Sequence, residues 1–371
     1  MGRVLFTQKQ DDFLFALSFH PSEPFFVKGF SDGTVTACSY DYKGEINNIW
    51  TTKRHKGSCR ALTYDHEGKF VFSVGLDRVL KKANATDGIV KIKNSSTIDS
   101  DPACISVNDT YVAIGTDEGG VYIFNQSDLS LVKHFADVHN DNVAGLFPLP
   151  VKNEYTFISC GSTTVSNIDL RKDKPVSESE DQEDDILCGC LSNETTPVFG
   201  MSTGVVTVWN QVLEDQQHRI RLSKDSVDCL LPGELDDIVV AGCGDGVAYK
   251  VNTRSSLVLK KYNHGGDGVS ILEMDYQYHL VTADMDSIKV WMTDEEEKKA
   301  DKEEGKTTVT NTKRPIENND SDWESMEEEE EEEEEKKKAE KQTRKKRKRG
   351  KASAKSKVHN SRPAISSFDG L

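Results

Sequence analysis

Three histidines stand in similar local surroundings and are the first candidates for chemistry. His55, His139 and His264 each precede a short apolar run, in RHKGSCRAL, VHNDNVAGL and NHGGDGVSIL. A histidine acts as a general base or a metal ligand when a nucleophile or further ligands accompany it. The sequence places no nucleophile with these three, and it has no histidine pair at i, i+4. We therefore predict no catalytic residues and expect that the chain is not an enzyme.

The cysteines and glycines give no sign of a metal or cofactor site. None of the eight cysteines forms a Cys-x₂-Cys pair, and Cys188 and Cys190 are spaced as neighbours on one face of a strand. The glycine-rich run 242–246 is similar to a dinucleotide fingerprint but leads into another apolar run instead of a helix. A Gly-x₄-Gly-Lys-Ser/Thr loop is also missing from the sequence. We predict neither a bound metal nor a cofactor.

A basic stretch offers a different kind of chemistry. Between positions 53 and 93 there are ten Lys or Arg and four Asp or Glu. Such a cluster can bind a phosphate backbone or an acidic partner. The candidate binding residues are Lys53, Arg54, Lys56, Arg60, Arg78, Lys81 and Lys82. Few aromatic residues lie among them, which disfavours base stacking, and the alternative is a solvated patch spread over both sides of one structural unit.

The net charge of −16 hides three regions of different character. Residues 1–294 carry 42 acidic and 27 basic side chains, and residues 295–335 carry 19 acidic and 6 basic ones, including nine consecutive glutamates. Residues 336–371 carry 2 acidic and 14 basic side chains. Blocks of like charge with few aromatic residues stay solvated. We therefore predict an acidic disordered linker over 295–335 and a basic disordered tail over 336–371.

The basic tail predicts the subcellular location of the protein. Runs of Lys and Arg are typical of nuclear or nucleolar targeting and of nucleic-acid contact. The candidate targeting residues are Lys336, Lys337, Lys338, Arg344, Lys345, Lys346, Arg347, Lys348 and Arg349. The alternative is a tail that only increases solubility. Ser177, Ser321 and Ser325 each have Glu at +3, a weak pattern for acid-directed phosphorylation. We expect an intracellular protein, because no apolar run resembles a secretory signal or a membrane span.

The elements that position all these residues follow from a repeat. Seven segments share an apolar run, a Gly/Ser/Asp turn and then alternating apolar residues, as in Val205 to Trp209. The penultimate residues of the segments lie 40 to 45 positions apart, at Cys38, Ala83, Phe124, Ile168, Trp209, Val251 and Trp291. Several strands per unit at this period are typical of WD-repeat β-propeller blades. The sequence predicts an all-β, seven-bladed WD-repeat β-propeller over residues 1–294, followed by the disordered charged tail.

Polar residues recur at matching places in the units and have structural roles in this interpretation. An acidic or hydroxyl side chain six positions before the closing residue can stabilise the turn between strands. The residues assigned to the blades in this way are Asp32, Asp77 and Asp245, with Asp286 in the last blade, together with Trp209, Trp291 and the three histidines. Because the seventh unit turns acidic directly after Trp291, it lacks an outer strand. We predict that residues 3–7 supply that strand and close the ring.

The chain resembles the nucleolar family of WD repeat-containing protein 55 and its fungal counterparts. The resemblance rests on FALSFHP from Phe15, HKGSCRAL from His55 and VLKKANATDG from Val79, and on the order of seven blades, acidic block and basic tail. It implies a nucleolar scaffold needed for ribosomal RNA processing and large-subunit assembly, with no catalytic residues to transfer. The implied partners are protein assembly factors of pre-ribosomes. From the residues themselves we expect RNA contact through the basic tail and the second blade, no membrane, and a monomeric chain.

Two other functions stay open at this stage. An acidic ring and a glutamate run could bind histone tails, which would make the protein a chromatin adaptor. The sequence Ile168-Asp169-Leu170-Arg171 is similar to the Trp-Asp-x-Arg box of substrate receptors of cullin-type ubiquitin ligases, with Ile in place of Trp. Binding to histones, to RNA precursors or to a ligase adaptor would discriminate among the three.

Overall fold

The fold is a closed ring of seven four-stranded antiparallel sheets. The computed structural model describes residues 1–150, 153–214, 216–266 and 268–309, with side chains described outside 303–309. The first strand in the chain is β1 (Val4–Lys9). Blade one contains β2 (Leu14–Phe19), β3 (Phe25–Phe30), β4 (Thr34–Tyr40) and β5 (Ile46–Lys53). Blade two contains β6 (Cys59–Tyr64), β7 (Phe70–Gly75), β8 (Leu80–Asn84) and β9 (Val90–Asn94). Blade three contains β10 (Pro102–Val107), β11 (Tyr111–Thr116), β12 (Val121–Asn125) and β13 (Leu131–Phe135).

The remaining blades repeat this order. Blade four contains β14 (Gly145–Pro148), β15 (Thr156–Gly161), β16 (Thr164–Asp169) and the short β17 (Ser177–Glu178). Blade five contains β18 (Ile186–Leu191), β19 (Pro197–Met201), β20 (Val205–Trp209) and β21 (Gln216–Arg221). Blade six contains β22 (Val227–Pro232), β23 (Ile238–Cys243), β24 (Val247–Asn252) and β25 (Leu257–Asn263). Blade seven contains β26 (Ile271–Met274), β27 (Leu280–Ala283) and β28 (Ser287–Trp291), and β1 is its outermost strand.

The period found in the sequence corresponds to one strand of each blade. All seven closing residues, from Cys38 to Trp291, lie on the third strand of their blade and are buried. A third strand has neighbours on both edges and a blade on each face, so most of its side chains are shielded from water. The predicted seven-bladed propeller is confirmed.

The two faces of the ring follow from strand direction. We call the four strands of a blade a to d from the axis outward, since the first strands of neighbouring blades contact one another around the axis. Successive strands run in opposite directions. The d–a connections and b–c turns therefore lie on one face of the ring, which we call the d–a face. The a–b and c–d turns lie on the other, which we call the a–b face.

Closure of the ring depends on the N-terminal strand. β1 pairs antiparallel with β28 in the register Phe6 to Val290 and Gln8 to Ile288. The strand covers Val4–Lys9, against the predicted 3–7. Side chains of blades one and seven share one apolar cluster, against which Phe6 packs. In the described part of the chain there are seven such clusters, one at each joint between blades.

A glycine in the b–c turn ties neighbouring blades together on the d–a face. Gly33 has a φ of 84°, and its carbonyl accepts the N–H groups of Arg54 and His55, both at 3.0 Å. A Cβ built on Gly33 would lie 2.1 Å from the Gly57 carbonyl oxygen, so a side chain does not fit. The same double acceptance recurs at Gly119, Gly204 and Gly246.

A helix follows the last blade, where the sequence predicted disorder. α1 spans Asp294–Val309. Thr293 and Glu296 cap it reciprocally: Thr293 N–H donates to Glu296 Oε2 at 3.0 Å, and Glu296 N–H donates to Thr293 Oγ1 at 3.4 Å. Four acidic residues in the first turn favour the positive end of the helix dipole. The prediction of a disordered linker from residue 295 is therefore wrong over residues 295–309.

Ion pairs bind the first turns of α1 to the propeller. Lys260 of β25 donates to Asp294 at 2.6 Å and to Glu297 at 2.7 Å. His279 Nε2 lies 3.0 Å from Glu296 Oε2. Composition predicts solvated carboxylates here, because it does not show that Lys260 and His279 of the propeller lie beside them. The compact propeller unit ends at Glu303, and the predicted linker from 310, the basic tail, its targeting residues, Ser321 and Ser325 lie outside the described residues.

Candidate interaction surfaces

His55 forms a buried network on the d–a face. Its Nδ1 donates to Asp77 Oδ1 at 2.8 Å, and Ser73 Oγ donates to its Nε2 at 2.9 Å. Burial lowers the pKa of His55, against the opposing effect of Asp77, so the imidazole is neutral at neutral pH. Burial alone would raise the pKa of Asp77, but bonds from His55 and the Lys56 N–H hold it at about 2. Both ring nitrogens are engaged, which leaves His55 a structural role.

The second histidine, His139, occupies an equivalent place on the d–a face. His139 lies between Thr164 Oγ1, 2.7 Å from Nδ1, and Ser159 Oγ, 2.9 Å from Nε2. Burial lowers the pKa of His139 to about 4. A neutral imidazole that is bonded to a hydroxyl group on each side positions a loop and does not act as a general acid near neutral pH.

Blade seven has a longer chain of hydrogen bonds. Trp291 Nε1 donates to Thr282 Oγ1 at 2.9 Å, and Thr282 Oγ1 lies 2.6 Å from His264 Nδ1. His264 Nε2 lies 3.2 Å from Asp284 Oδ2. The turn of this blade is therefore stabilised by Asp284, and its assignment to Asp286 is wrong. The Oδ1 of Asp284 accepts the backbone N–H groups of Asp286 and Ser287, so the carboxylate that binds this turn lies seven positions before Trp291, two earlier than Asp286.

Three further residues assigned to the blades also make local contacts. Asp32 Oδ1 accepts the Thr34 N–H at 2.8 Å, and the Lys53 ammonium lowers the pKa of Asp32 to about 2. Asp245 accepts the Val247 N–H at 3.0 Å. Trp209 donates from Nε1 to a threonine hydroxyl of its own strand at 3.0 Å, without a histidine.

The seven candidate basic residues do not form one surface. Lys81 and Lys82 are neighbours on β8 and point to opposite faces of the sheet. Lys81 Nζ lies 3.6 Å from Asp77 and contacts the Arg54 carbonyl, on the side of blade one. Lys82 is buried against blade three, where Nζ donates to the Gln126 carbonyl at 3.0 Å. These two lysines therefore cannot contact one ligand.

Most of the other basic residues are engaged as well. Arg54 is buried, stacks on the Trp50 ring and donates to the Gly88 carbonyl at 3.0 Å. Lys53 pairs with Asp32 at 2.9 Å and Arg78 with Asp101 at 2.9 Å. Arg60 is the extra residue of a β-bulge in β6, with its guanidinium 5.9 Å from the Phe15 ring. Lys56 is exposed.

Arg171, the last residue of the adaptor-like sequence, is held by its own turn. Its Nε donates to Asp169 Oδ1 at 2.9 Å and its Nη2 donates to Asp169 Oδ2 at 2.7 Å. The guanidinium also lies over the Tyr155 ring at 5.4 Å. This two-point pairing positions the c–d turn of blade four.

The a–b face contains a cavity that no sequence pattern singled out. It has a volume of about 540 Å³ and lies where the inner strands of the middle blades end. Phe147 and Pro148 of β14, Leu191 of β18 and Pro232 of β22 supply its apolar wall. Asp109 lies on the rim with its side chain 85% exposed. The sequence did contain a local signal for this cavity: these inner strands end in apolar or proline residues, whereas polar residues are usual next to a turn.

The described residues show neither a metal centre nor a membrane span. Within them, no three or more His, Cys, Asp or Glu side chains are grouped as metal ligands. The described helix has neither the length nor the apolar composition needed to cross a membrane. The eight cysteines are unpaired thiols, and burial raises the pKa of Cys59, Cys104 and Cys190 to about 12.

The fold and the turn networks define the class of protein: a seven-bladed WD-repeat β-propeller. The WD40 propeller domain of Doa1 superposes with a TM-score of 0.68 at 13% identity, over 79% of this chain and 97% of that one. The chain belongs to the family of WD repeat-containing protein JIP5. It is 33% identical to that protein of Meyerozyma guilliermondii, over 81% of this chain and 74% of the relative.

A second relative gives the extent of the match. The chain is 35% identical to WD repeat-containing protein JIP5 of Saccharomyces cerevisiae, over 75% of this chain, and the match spans 62% of the yeast protein. The chain thus covers less than two thirds of the length of that relative. No family model matches the chain.

Proposed function

We propose that the chain is a non-enzymatic scaffold that binds assembly factors on maturing ribosomal particles in the nucleolus. The observation that carries the proposal is that the side chains able to act in catalysis are already hydrogen-bonded within the blades. His55, His139 and His264 each bridge groups of one blade turn, and they are held in neutral form. A rigid ring with two faces of turns is suited to simultaneous protein contacts, which WD-repeat propellers typically make.

The ribosomal part of the proposal rests on the sequence. The segments from Phe15, His55 and Val79 resemble the family of WD repeat-containing protein 55. The run Arg344 to Arg349 has the composition of a nucleolar targeting signal and of an RNA contact. The two features agree on a nucleolar protein near RNA, which favours ribosome assembly over the chromatin and ligase alternatives.

Affinity purification of the tagged full-length chain tests the proposal. We expect ribosomal RNA precursors and large-subunit assembly factors to co-purify, and those precursors to accumulate when the protein is depleted. Enrichment of histones or of a cullin adaptor without RNA precursors would overturn it.

Localisation of a tail variant gives an independent test. Replacing all six residues from Arg344 to Arg349 with alanine is expected to remove the protein from the nucleolus while its melting temperature stays unchanged. Unaltered nucleolar localisation of this variant would contradict the assigned role of the tail.

A further inference from the structure

The cavity on the a–b face has a rigid apolar wall. Phe147 lies with its ring 6.1 Å from that of Phe199, which is fully buried, so the wall is continuous with the core of blade five. Asn108, in the a–b turn of the neighbouring blade three, is fixed by three bonds, donating to the Glu154 carbonyl at 2.9 Å and accepting the N–H groups of Thr110 and Tyr111. A volume of about 540 Å³ falls within the ~300–1,000 Å³ of ligand pockets. The cavity is therefore preformed, and a bulky apolar side chain fits it.

The turns around this cavity carry exposed carboxylates. Each a–b turn of blades one to six has at least one exposed acidic residue: Glu23, Glu67, Asp109, Glu154, Glu194, Glu234 and Asp236. Hydrogen bonds from Thr110 and Tyr155 lower the pKa of Glu154, which keeps it charged. Lys69 and His66 are the exposed basic side chains among the described residues of these turns: Lys69 pairs with Glu67 at 2.6 Å, and His66 Nδ1 lies 2.7 Å from Asp109 Oδ1. Lys152, in the turn of blade four, lies outside the described residues.

Charge alone does not distinguish this face, since the d–a face also exposes acids such as Asp117 and Glu118. What distinguishes the a–b face is the combination of an apolar cavity with a ring of carboxylates. Carboxylates attract Lys and Arg side chains over a Debye length. A buried apolar anchor supplies the affinity that exposed ion pairs lack.

We propose that the a–b face binds an extended Lys/Arg-rich protein segment that inserts one leucine-sized or aromatic side chain into the cavity. This inference rests on the proposed scaffold function and names the chemistry of one partner. Nucleic acid is disfavoured at this site, because the carboxylates would repel its phosphates.

A direct binding measurement with the full-length protein tests the inference. The probe is a fluorescein-labelled nine-residue peptide of alternating Lys and Arg around a central leucine, and a second peptide has serine at the centre. We expect the leucine peptide to bind at least about tenfold more tightly, the effect of removing a buried anchor. Equal binding of the two peptides would overturn the role of the cavity.

Three variants locate the site. Pro232→Lys places a positive charge at the exposed end of β22 in the cavity, and Asp109→Lys reverses a rim charge. Each is expected to weaken the leucine peptide several-fold or more. Glu118→Lys makes the same charge reversal in an exposed b–c turn and is expected to change binding less than twofold. Melting temperatures of all three report whether the fold is intact.

The outcomes separate the inference from the proposed function. Equal weakening by Glu118→Lys and Asp109→Lys would mean attraction by net charge only and would overturn the site. Stronger binding of an unstructured RNA oligonucleotide, competing with the peptide, would overturn the choice of a protein partner. If the peptide fails to bind while the full-length chain still co-purifies with ribosomal RNA precursors, the inference fails and the proposed function stands.

Discussion

The two faces of the ring use charged residues in opposite ways. On the d–a face, His55 and Asp77 are bonded to each other and buried, and Lys53 and Arg78 pair with neighbouring turns. On the a–b face, carboxylates such as Glu194 stay exposed around an apolar cavity. Paired and buried charge fixes blades relative to one another, whereas exposed charge beside an apolar surface is available to a partner. Around the cavity, therefore, the same residue types stay available to a partner, whereas the blade-seven turn of that face pairs and buries them as the d–a face does, with Asp275 3.0 Å from His279.

Ring closure supports both faces, so its loss has the largest expected effect. Deleting residues 1–8 removes most of β1 and leaves β28 as an open edge. We expect the melting temperature, followed by calorimetry, to fall by about 10 °C or more. Deleting residues 364–371 from the other end is the control and should change nothing. A shift within error after the first deletion would show that β1 does not close the ring.

A matched pair of histidine substitutions separates the faces. His55→Ala leaves Asp77 and Ser73 without their buried partner and is expected to cost about 3 kcal/mol of unfolding free energy. His66→Ala on the a–b face removes a pair with Asp109 between exposed side chains, and should cost below about 0.5 kcal/mol. Denaturant unfolding measures both. Similar losses for the two would remove the distinction between the faces.

One carboxyl near the a–b face, that of the half-buried Glu273, is crowded by protein atoms and should respond to pH. Burial raises the pKa of Glu273, on β26, to about 8, well above its ordinary value of 4.5. Its stabilising contribution is complete below pH 4.5 and is lost as pH rises through about 8.

Glu273→Gln stays uncharged, and its unfolding free energy should therefore fall less than that of the unmodified protein between pH 5 and pH 8.5. Glu234→Gln, at an exposed position of a neighbouring a–b turn, is the control and should follow the unmodified protein. Parallel pH profiles for Glu273→Gln and the unmodified protein would contradict the burial of this carboxyl.

The smallest effects are expected for exposed lysines of the d–a face. Lys53→Ala removes a solvent-exposed pair with Asp32, and Lys56 is exposed without a role in the blade network through its side chain. Each substitution to alanine should change the unfolding free energy by less than about 0.5 kcal/mol and leave co-purifying RNA unchanged. A marked loss of RNA with Lys56→Ala would restore the second blade as an RNA contact.

The sequence predicted the ring because the repeat marks a strand that is buried in every blade. It also assigned structural roles to the three histidines, but it did not give their partners, which differ from blade to blade: His55 bonds Asp77 and Ser73, whereas His139 bonds Thr164 and Ser159. Composition predicts disorder over α1, although Thr293-Asp-Glu-Glu296 has the residue pattern of a helix cap. The sequence offered only the apolar strand ends one at a time and not the cavity itself, because Phe147, Leu191 and Pro232 are separated by more than 40 residues each and meet only when the ring closes. Local patterns predict strands, whereas a site made by several blades requires their arrangement.

Crosslinking of the native complexes, followed by mass spectrometry, tests the division between the faces most directly. With a reagent that joins carboxylates to lysines, we expect crosslinks from partner lysines to Glu67, Asp109 and Glu194 on the a–b face. Crosslinks concentrated at Asp117, Glu118 and Asp141 on the d–a face, with the a–b face unreacted, would contradict it.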